Sequence, residues 1–223
     1  MSYNQRMAGV KKSRSRRPVQ LAFLEPKTWG GRRVGAGRKS RDLRGNVSHA
    51  PRGRHASANP VHVVLRARVR SLRSQFMFPT VRRALADATH SRSDFRVVQF
   101  SVQADHLHLI VEADSNHSLS RGMQGLGIRI AKAINRLVSR RGAVWSGRFY
   151  ARELTSPRAV KHAIRYVLNN FEKHGERVRG RLDPCSSAVF IGALDSRGNS
   201  GTPEAIPISA PRTWLARTWS PQM

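Results

Sequence analysis

One nine-residue stretch, DHLHLIVEA at positions 105–113, constrains the fold of this chain more than any other part of its sequence. Its side chains alternate strictly, and a period of two residues is typical of a β-strand with two different faces. The even-numbered positions share one face, which carries His106, His108, Ile110 and Glu112. The odd-numbered positions form an apolar face of Leu107, Leu109, Val111 and Ala113. Two imidazoles spaced two residues apart on a strand stand side by side, close enough to share a divalent metal ion.

The charge of the chain indicates what it binds. Its formal net charge is +28, from 41 Lys and Arg against 13 Asp and Glu. Such an excess repels itself unless a polyanion neutralises it, so nucleic acid is the expected partner. An acidic membrane surface is the weaker alternative, because no amphipathic or lipidation signal accompanies the charge. A ribosomal type of structural role stays open on charge alone.

Targeting and cysteine signals narrow the class of protein further. No apolar run approaches the roughly 20 residues of a membrane span, and no apolar signal-peptide core follows the basic N-terminus. We therefore expect no membrane association and a cytoplasmic protein located at the nucleoid. Cys185 is the only cysteine, which excludes a disulfide framework and a Cys-rich zinc finger. It also disfavours a zinc deaminase, which needs a Pro-Cys-x-x-Cys pair.

Residues 1–59 differ in composition from the rest of the chain. They are rich in Gly, Ser and Arg, have no sustained period, and include only Glu25 and Asp42 as acids. This composition predicts a largely disordered basic tail. Its run at 30–39 places basic residues between flexible glycines, which lets them follow a phosphate backbone or enter a narrow minor groove. We expect DNA contacts here from Arg32, Arg33, Arg38 and Lys39. The alternative is a solvated tail that binds any polyanion.

From residue 60 onward the pattern predicts seven elements. They are a strand at 61–69, a helix at 79–89, strands at 95–103 and 105–113, a long helix to about residue 140, a strand at 144–154 and a helix from Pro157 to about Lys173. The first six match a ferredoxin-like, split β-α-β antiparallel sheet with two helices on one face. We therefore predict an α+β fold in which the seventh element, a tyrosine-bearing helix, covers the other face.

The last predicted helix carries the other half of a candidate site. Its buried stripe is Val160, Ile164, Val167 and Phe171. Tyr166 and Asn170 lie off that stripe and, four residues apart, project together. If this helix lies opposite the histidines, His106, His108 and the amide oxygen of Asn170 provide three ligands for a divalent ion. Tyr166 would then be a nucleophile beside a phosphate.

Each part of this site also has an ordinary structural explanation. The His-Leu-His pair alone is more often structural, a lone tyrosine on an amphipathic helix usually packs, and Asn170 could satisfy backbone groups at a helix end. Two competing assignments stay open. Tyr150 is a second candidate nucleophile, in a strand-like segment without a ligand-type residue nearby. Glu112, on the histidine face, is a third-ligand candidate ranked below Asn170.

Residues 60–175 resemble the single-tyrosine HUH transposases, a family of insertion-sequence IS200-like and REP-associated tyrosine transposases. The matches are His106-Leu107-His108, Tyr166-Val167-Leu168-Asn169-Asn170, residues 100–113 and Arg148-Phe149-Tyr150-Ala151. The basic residues 35–39 resemble a lead-in found in some members. The chain departs from well-known insertion-sequence members at one position, where it has Asn170 in place of glutamine.

The resemblance implies a metal-dependent enzyme that nicks and rejoins single-stranded DNA. Tyr166 would attack the scissile phosphate, form a 5′-phosphotyrosine and release a 3′-hydroxyl. His106, His108 and Asn170 would hold Mg²⁺ or Mn²⁺. The expected partner is single-stranded or hairpin DNA, bound by a monomer or a homodimer. The implied domains are the tail at 1–59, a catalytic domain at 60–178 and a Gly/Ser/Pro-rich C-terminal tail at 179–223.

Further DNA contacts are expected from basic residues of the catalytic domain, namely Arg129, Lys132, Arg136, Arg148 and Lys173. Two other functions stay open. One is a non-catalytic, domesticated DNA- or RNA-binding protein on an RRM-like sheet, against which the few aromatic residues on the predicted strands count. The other is a decayed transposase that still binds hairpins.

Overall fold

The computed structural model describes residues 52–173, 182–191 and 206–219. The main elements are β1 (Val61–Arg66), α1 (Phe78–Thr89), β2 (Phe95–Val102), β3 (His106–Ala113), α2 (Asn116–Leu137), β4 (Tyr150–Glu153) and α3 (Pro157–Lys173). A short 3₁₀ helix (Ser187–Phe190) and a one-turn helix, α4 (Trp214–Arg217), follow. None of the helices in these ranges is long and apolar enough to cross a membrane.

The four strands form one antiparallel sheet in the order β2-β3-β1-β4. This order, with a helix after β1 and another after β3, is that of the split β-α-β fold. The predicted α+β class and ferredoxin-like arrangement are therefore confirmed.

The alternation along β3 divides the sheet into two faces as predicted. Leu107, Leu109 and Val111 are fully buried in a core that includes residues of α1 and α2. Ile110 points to the opposite face and packs with Val160, Ile164 and Val167 of α3. We call this second face, which carries His106 and His108, the histidine face. α3 covers it over β2 and β3, so every residue of β3 is buried.

The predicted strand at 144–154 is wrong for most of its length. Only Tyr150–Glu153 forms a strand, and Trp145 makes an isolated bridge to Ala67. The indole nitrogen of Trp145 donates a hydrogen bond to the carbonyl of Gly127, at 2.8 Å. Residues 144–146 stay beside the end of β1, where the Arg68 amide donates to the Val144 carbonyl at 2.7 Å and the Ser146 amide donates to the Arg66 carbonyl at 2.9 Å. The regular strand pairing starts only at Tyr150. The first strand and the long helix are also shorter than predicted, ending at Arg66 and Leu137.

Two C-terminal segments pack against the sheet. Residues 182–191 lie along the edge strand β2, where the Val102 amide donates to the Cys185 carbonyl at 2.8 Å. Residues 206–219 reach the same strand further along, where the Ser209 amide donates to the Val97 carbonyl at 2.8 Å. An edge strand offers unpaired backbone groups, and these segments satisfy some of them. The second of these segments contains the helix α4.

Candidate active site

The two histidines of β3 lie side by side on the histidine face. Their ring centroids are 4.8 Å apart and the rings are nearly perpendicular, at 84°. Both side chains are mostly buried, with His108 only 4% exposed. Strand geometry alone brings them together, because residues two apart on a strand point the same way.

Asp105 orients the His106 ring. Its carboxylate lies 2.7 Å from Nδ1 of His106, and this hydrogen bond is the main cause that lowers the pKa of Asp105. A carboxylate only accepts, so Nδ1 of His106 carries the proton. That tautomer places the lone pair of the imidazole on Nε2. A histidine oriented by a carboxylate in this way is typical of a metal ligand.

His62, on β1, is a residue of the site that sequence analysis missed. Its Nε2 lies 3.2 Å from Nδ1 of His108, and the two rings stack with centroids 5.4 Å apart. Burial, followed by the charge of Arg152, lowers the pKa of His62 to about 4, so its ring is neutral at pH 7. The signal was present in VHVVLR, where His62 alternates with the buried Val61 and Val63.

α3 brings Tyr166 to the histidines. The centroid of its ring lies 5.2 Å from that of His108, with an angle of 88° between the rings, and 6.0 Å from that of His62. The Tyr166 side chain is 38% exposed, so it faces both the imidazoles and solvent. Tyr150 stands further off, because it pairs with Val64 of β1, which in turn pairs with His108.

Asn170 lies one helical turn after Tyr166 and is only 1% exposed. In the part of the chain that the structure describes, neither its Oδ1 nor its Nδ2 has a hydrogen-bond partner. A buried amide without partners costs about 1–3 kcal/mol, and such a group calls for a partner such as an ion or a water molecule.

The available side chains fit a divalent ion. Within the described ranges, no three His, Cys, Asp or Glu side chains are grouped so that they could hold a metal ion. Asn170 offers a ligand atom of another type, its amide oxygen, which is buried. Imidazole nitrogens and an amide oxygen are common ligands of divalent ions.

Glu112 is not available as the alternative third ligand. Its two carboxylate oxygens accept hydrogen bonds from the backbone amides of Arg212 and Thr213, at 2.8 and 2.9 Å, and from the Thr213 hydroxyl at 2.7 Å. Arg96 adds an ion pair at 3.6 Å. The carboxylate therefore holds the C-terminal segment, which sequence periodicity cannot reveal because the partner residues lie about a hundred positions away.

The expected DNA contacts are not gathered around the histidines. Arg129, Lys132 and Arg136 are exposed on α2, which packs on the face of the sheet opposite the histidine face. Arg148 lies in the segment before β4 and is partly buried. The side chain of Lys173 and the tail residues Arg32, Arg33, Arg38 and Lys39 lie outside the described residues. Two other arginines, Arg66 and Arg152, share the histidine face by register.

Comparison with known proteins places these observations in a family context. Residues 56–170 match the family model described as "Transposase IS200 like", a span of just over half the chain. No curated protein matches the chain. The solved structure of a REP-associated tyrosine transposase bound to a REP hairpin is similar in fold, with a TM-score of 0.53 and 18% sequence identity, covering 72% of this chain and 97% of that one.

A second solved structure, of a transposase-like protein from Deinococcus radiodurans R1, covers 60% of this chain and 99% of that one at 11% identity. Its TM-score of 0.37 is too low to bear on the fold.

Proposed function

The chain belongs to the IS200-like transposase family, and we propose that it nicks and rejoins single-stranded DNA, with Tyr166 as the nucleophile and His106, His108 and Asn170 as metal ligands. The observation that carries this proposal is the position of the Tyr166 ring, 5.2 Å from His108 and open to solvent. A nucleophile must reach both the phosphate and the groups that activate it.

The proposed step exchanges one phosphodiester bond for another. The Tyr166 oxygen forms a bond to phosphorus, the bond from phosphorus to the 3′ oxygen breaks, and a 5′-phosphotyrosine results. The phenol loses a proton and the leaving 3′ oxygen gains one, which yields a 3′-hydroxyl. Attack by another 3′-hydroxyl reverses the step and joins strands without ATP, because the covalent intermediate keeps the bond energy.

A free phenol, with a pKa of about 10, is a poor nucleophile at neutral pH. Bound Mg²⁺ or Mn²⁺ would polarise the phosphate and stabilise the charge that develops on it. The chain's own part is to place ligands and nucleophile together. Asp105 holds Nδ1 of His106, and His62 lies at Nδ1 of His108, so both rings are fixed by second partners.

We propose single-stranded or hairpin DNA as the substrate, acted on at the nucleoid. The net charge of +28 supports a polyanionic partner, and the structural neighbour was solved with a REP hairpin. We further propose that residues 1–59 form a DNA-binding tail and that 60–178 form the catalytic domain. The described parts of the C-terminal region then add to the folded domain through β2 and Glu112.

The test is a covalent adduct. The protein is incubated with single-stranded hairpin oligonucleotides and Mn²⁺, and adducts are resolved by denaturing electrophoresis and mapped by mass spectrometry. We expect a phosphotyrosine that is lost in Tyr166→Phe and kept in Tyr150→Phe. An adduct mapped to Tyr150 would overturn the assignment of the nucleophile. Tight binding without an adduct under any metal would favour the non-catalytic DNA-binding function.

A further inference from the structure

Half of the histidine face is left uncovered by α3. That helix packs on β2 and β3, whereas the other half of the face belongs to β1 and the edge strand β4. Residues that pair directly on antiparallel strands point to the same face of the sheet. Val64 of β1 pairs with His108 of β3 on one side and with Tyr150 of β4 on the other, and His62 of β1 pairs with Arg152 of β4. Arg66 pairs with His106 in the same way. We call Arg66, Tyr150 and Arg152 the β1–β4 platform.

The platform is accessible. Tyr150 is 50% exposed, and both Arg66 and Arg152 are exposed. Neighbouring strands lie about 4.8 Å apart, so Tyr150, two strands away from His108, is roughly 10 Å from it. A short stretch of extended single strand spans that distance. Tyr166 stands at the border, because its ring contacts both His108 of β3 and His62 of β1.

The charge of the platform suits a polyanion. Glu153, the acidic residue of β4, points away from it and binds Nδ1 of His55 and the amide of Ala56, at 2.9 and 2.7 Å. Arg152 lies near enough to His62 for its charge to help lower the pKa of that imidazole. Arg152 therefore brings positive charge beside the imidazoles, and the carboxylate of Glu153 is bound on the other side of the sheet.

We propose that the β1–β4 platform binds the single strand next to the scissile phosphate, with the Tyr150 ring stacked on a base and Arg66 and Arg152 in contact with backbone phosphates. This inference rests on the proposed function, because it takes the scissile phosphate to lie at Tyr166. Flat sheet faces with an exposed aromatic ring and flanking cations bind unstacked bases without reading a duplex groove. Tyr150 is then a substrate-positioning residue rather than a second nucleophile.

Two substitutions distinguish the role of the Tyr150 ring from that of its hydroxyl. Stacking needs the ring, so Tyr150→Phe keeps it and Tyr150→Ala removes it. Loss of one base–aromatic stack weakens binding roughly 5- to 100-fold. Each arginine that contacts a phosphate contributes about one unit to the slope of log Kd against log salt. Substitution of the tyrosine is therefore expected to change Kd, and substitution of an arginine is expected to change the salt dependence of Kd.

The experiment uses the full chain carrying Tyr166→Phe, so that binding is measured without cleavage. Fluorescence anisotropy with a hairpin oligonucleotide that has single-stranded extensions gives Kd for further variants on that background. We expect Tyr150→Ala to weaken binding 5- to 100-fold and Tyr150→Phe to leave it unchanged. The matched control is Trp214→Ala, at another exposed aromatic residue, 69% exposed on α4, which should leave Kd unchanged. A Tyr150→Ala variant that binds like the Trp214→Ala control would overturn the proposal.

Two further measurements localise the contact. 5-Iodouracil placed in the single-stranded extension should photocrosslink to Tyr150, and crosslinks found only elsewhere on the chain would overturn the platform. Arg152→Gln should reduce the salt slope by about one unit, whereas Arg83→Gln, an exposed arginine of α1, should not. Crosslinking at Tyr150 without any Tyr166 adduct would contradict the proposed chemistry alone, and an adduct without any effect of Tyr150→Ala would contradict the platform alone.

Discussion

Nε2 of His62 and Nδ1 of His108 lie 3.2 Å apart across the β1–β3 strand pair. Only one of the two nitrogens carries a proton when both rings are neutral. If Nδ1 of His108 carries the proton, it donates a hydrogen bond to Nε2 of His62, and the lone pair of His108 is on its own Nε2, where a metal ion can bind. If the proton is on His62, Nε2 of His108 is protonated and cannot be a ligand. His62 is thus positioned to select the metal-binding tautomer of His108.

Replacing His62 tests this relationship. His62→Gln keeps an acceptor for Nδ1–H of His108 through its amide oxygen, whereas His62→Leu removes it. Loss of such an outer partner typically lowers metal affinity 10- to 100-fold. We therefore expect a loss of that size for His62→Leu and a much smaller one for His62→Gln. Mn²⁺ affinity from calorimetry checks the prediction, and the ¹⁵N shifts of His108 report the tautomer. Tighter metal binding in His62→Leu would mean that His62 competes with the ion.

Asn170 should separate stability from metal binding. Replacing its buried amide, which has no hydrogen-bond partner in the described ranges, with the apolar Asn170→Leu removes a desolvation cost of about 1–3 kcal/mol. We expect a higher free energy of unfolding without metal, together with weaker Mn²⁺ binding. Asn170→Gln retains the amide and should bind Mn²⁺ more tightly than Asn170→Leu. Denaturant unfolding with a chelator and calorimetry measure the two quantities. A destabilised Asn170→Leu would show that the amide is satisfied within the protein.

The fold was predictable because its signals are local. The alternation of β3 and the Pro157 helix start depend on neighbouring residues, and both were confirmed. The strand at 144–154 was overpredicted because its pairing with β1 is interrupted between the Trp145–Ala67 bridge and Tyr150. At the interruption the Trp145 indole takes a tertiary partner, the carbonyl of Gly127 on α2. A propensity describes only the segment itself, so it cannot include such a partner.

The site was predictable only in part, for the same reason. His106, His108 and Tyr166 belong to motifs with recognisable spacing, and the structure brings Tyr166 against His108. His62 stands alone in a strand, and only the β1–β3 register shows that it meets His108. Glu112 lies on the histidine face and has a carboxylate that could bind a metal ion. Its actual partners, Arg212 and Thr213, lie in a distant segment that local patterns do not reveal.

Glu112→Ala should release the C-terminal segment and leave the metal site intact. The substitution removes the acceptor of the Arg212 and Thr213 amides and the ion-pair partner of Arg96. We expect faster proteolysis within residues 206–219 and unchanged Mn²⁺ affinity. Limited proteolysis followed by mass spectrometry, with calorimetry on the same protein, checks both. A 10-fold loss of Mn²⁺ affinity with an unchanged cleavage pattern would restore Glu112 as a ligand.

The stability of the protein should fall between pH 7 and pH 4, with a component due to His62. Its pKa is lowered to about 4 in the folded chain, mainly by burial, from an ordinary value of about 6.5. In this window the unfolded state binds the proton more strongly, so the free energy of unfolding decreases as the pH falls. The component levels off above about pH 7 and below about pH 4.

His62→Gln removes this titration and serves as the comparison. As the pH is lowered from 7 to 4, we expect the free energy of unfolding of the unmodified chain to decrease more than that of the variant. Urea unfolding with a chelator present, at several pH values, measures it. Parallel pH profiles for the two proteins would show that the His62 ring has the same proton affinity in both states.

Gly122 should be intolerant of any side chain, because α2 meets the sheet there. A Cβ at this position would lie 2.1 Å from the ring of Phe95, which is itself fully buried. Neither the helix backbone nor the ring can move without disturbing the core, so we expect Gly122→Ala to destabilise the protein by about 1–3 kcal/mol.

Gly125→Ala on the same helix is the matched control. Its Cβ would meet only the end of the flexible Arg129 side chain, at 3.0 Å, so the higher helix propensity of Ala should leave it neutral or stabilise it by up to about 1 kcal/mol. Denaturant unfolding of both variants measures the contrast, and equal stabilities would contradict the close packing of α2 on β2.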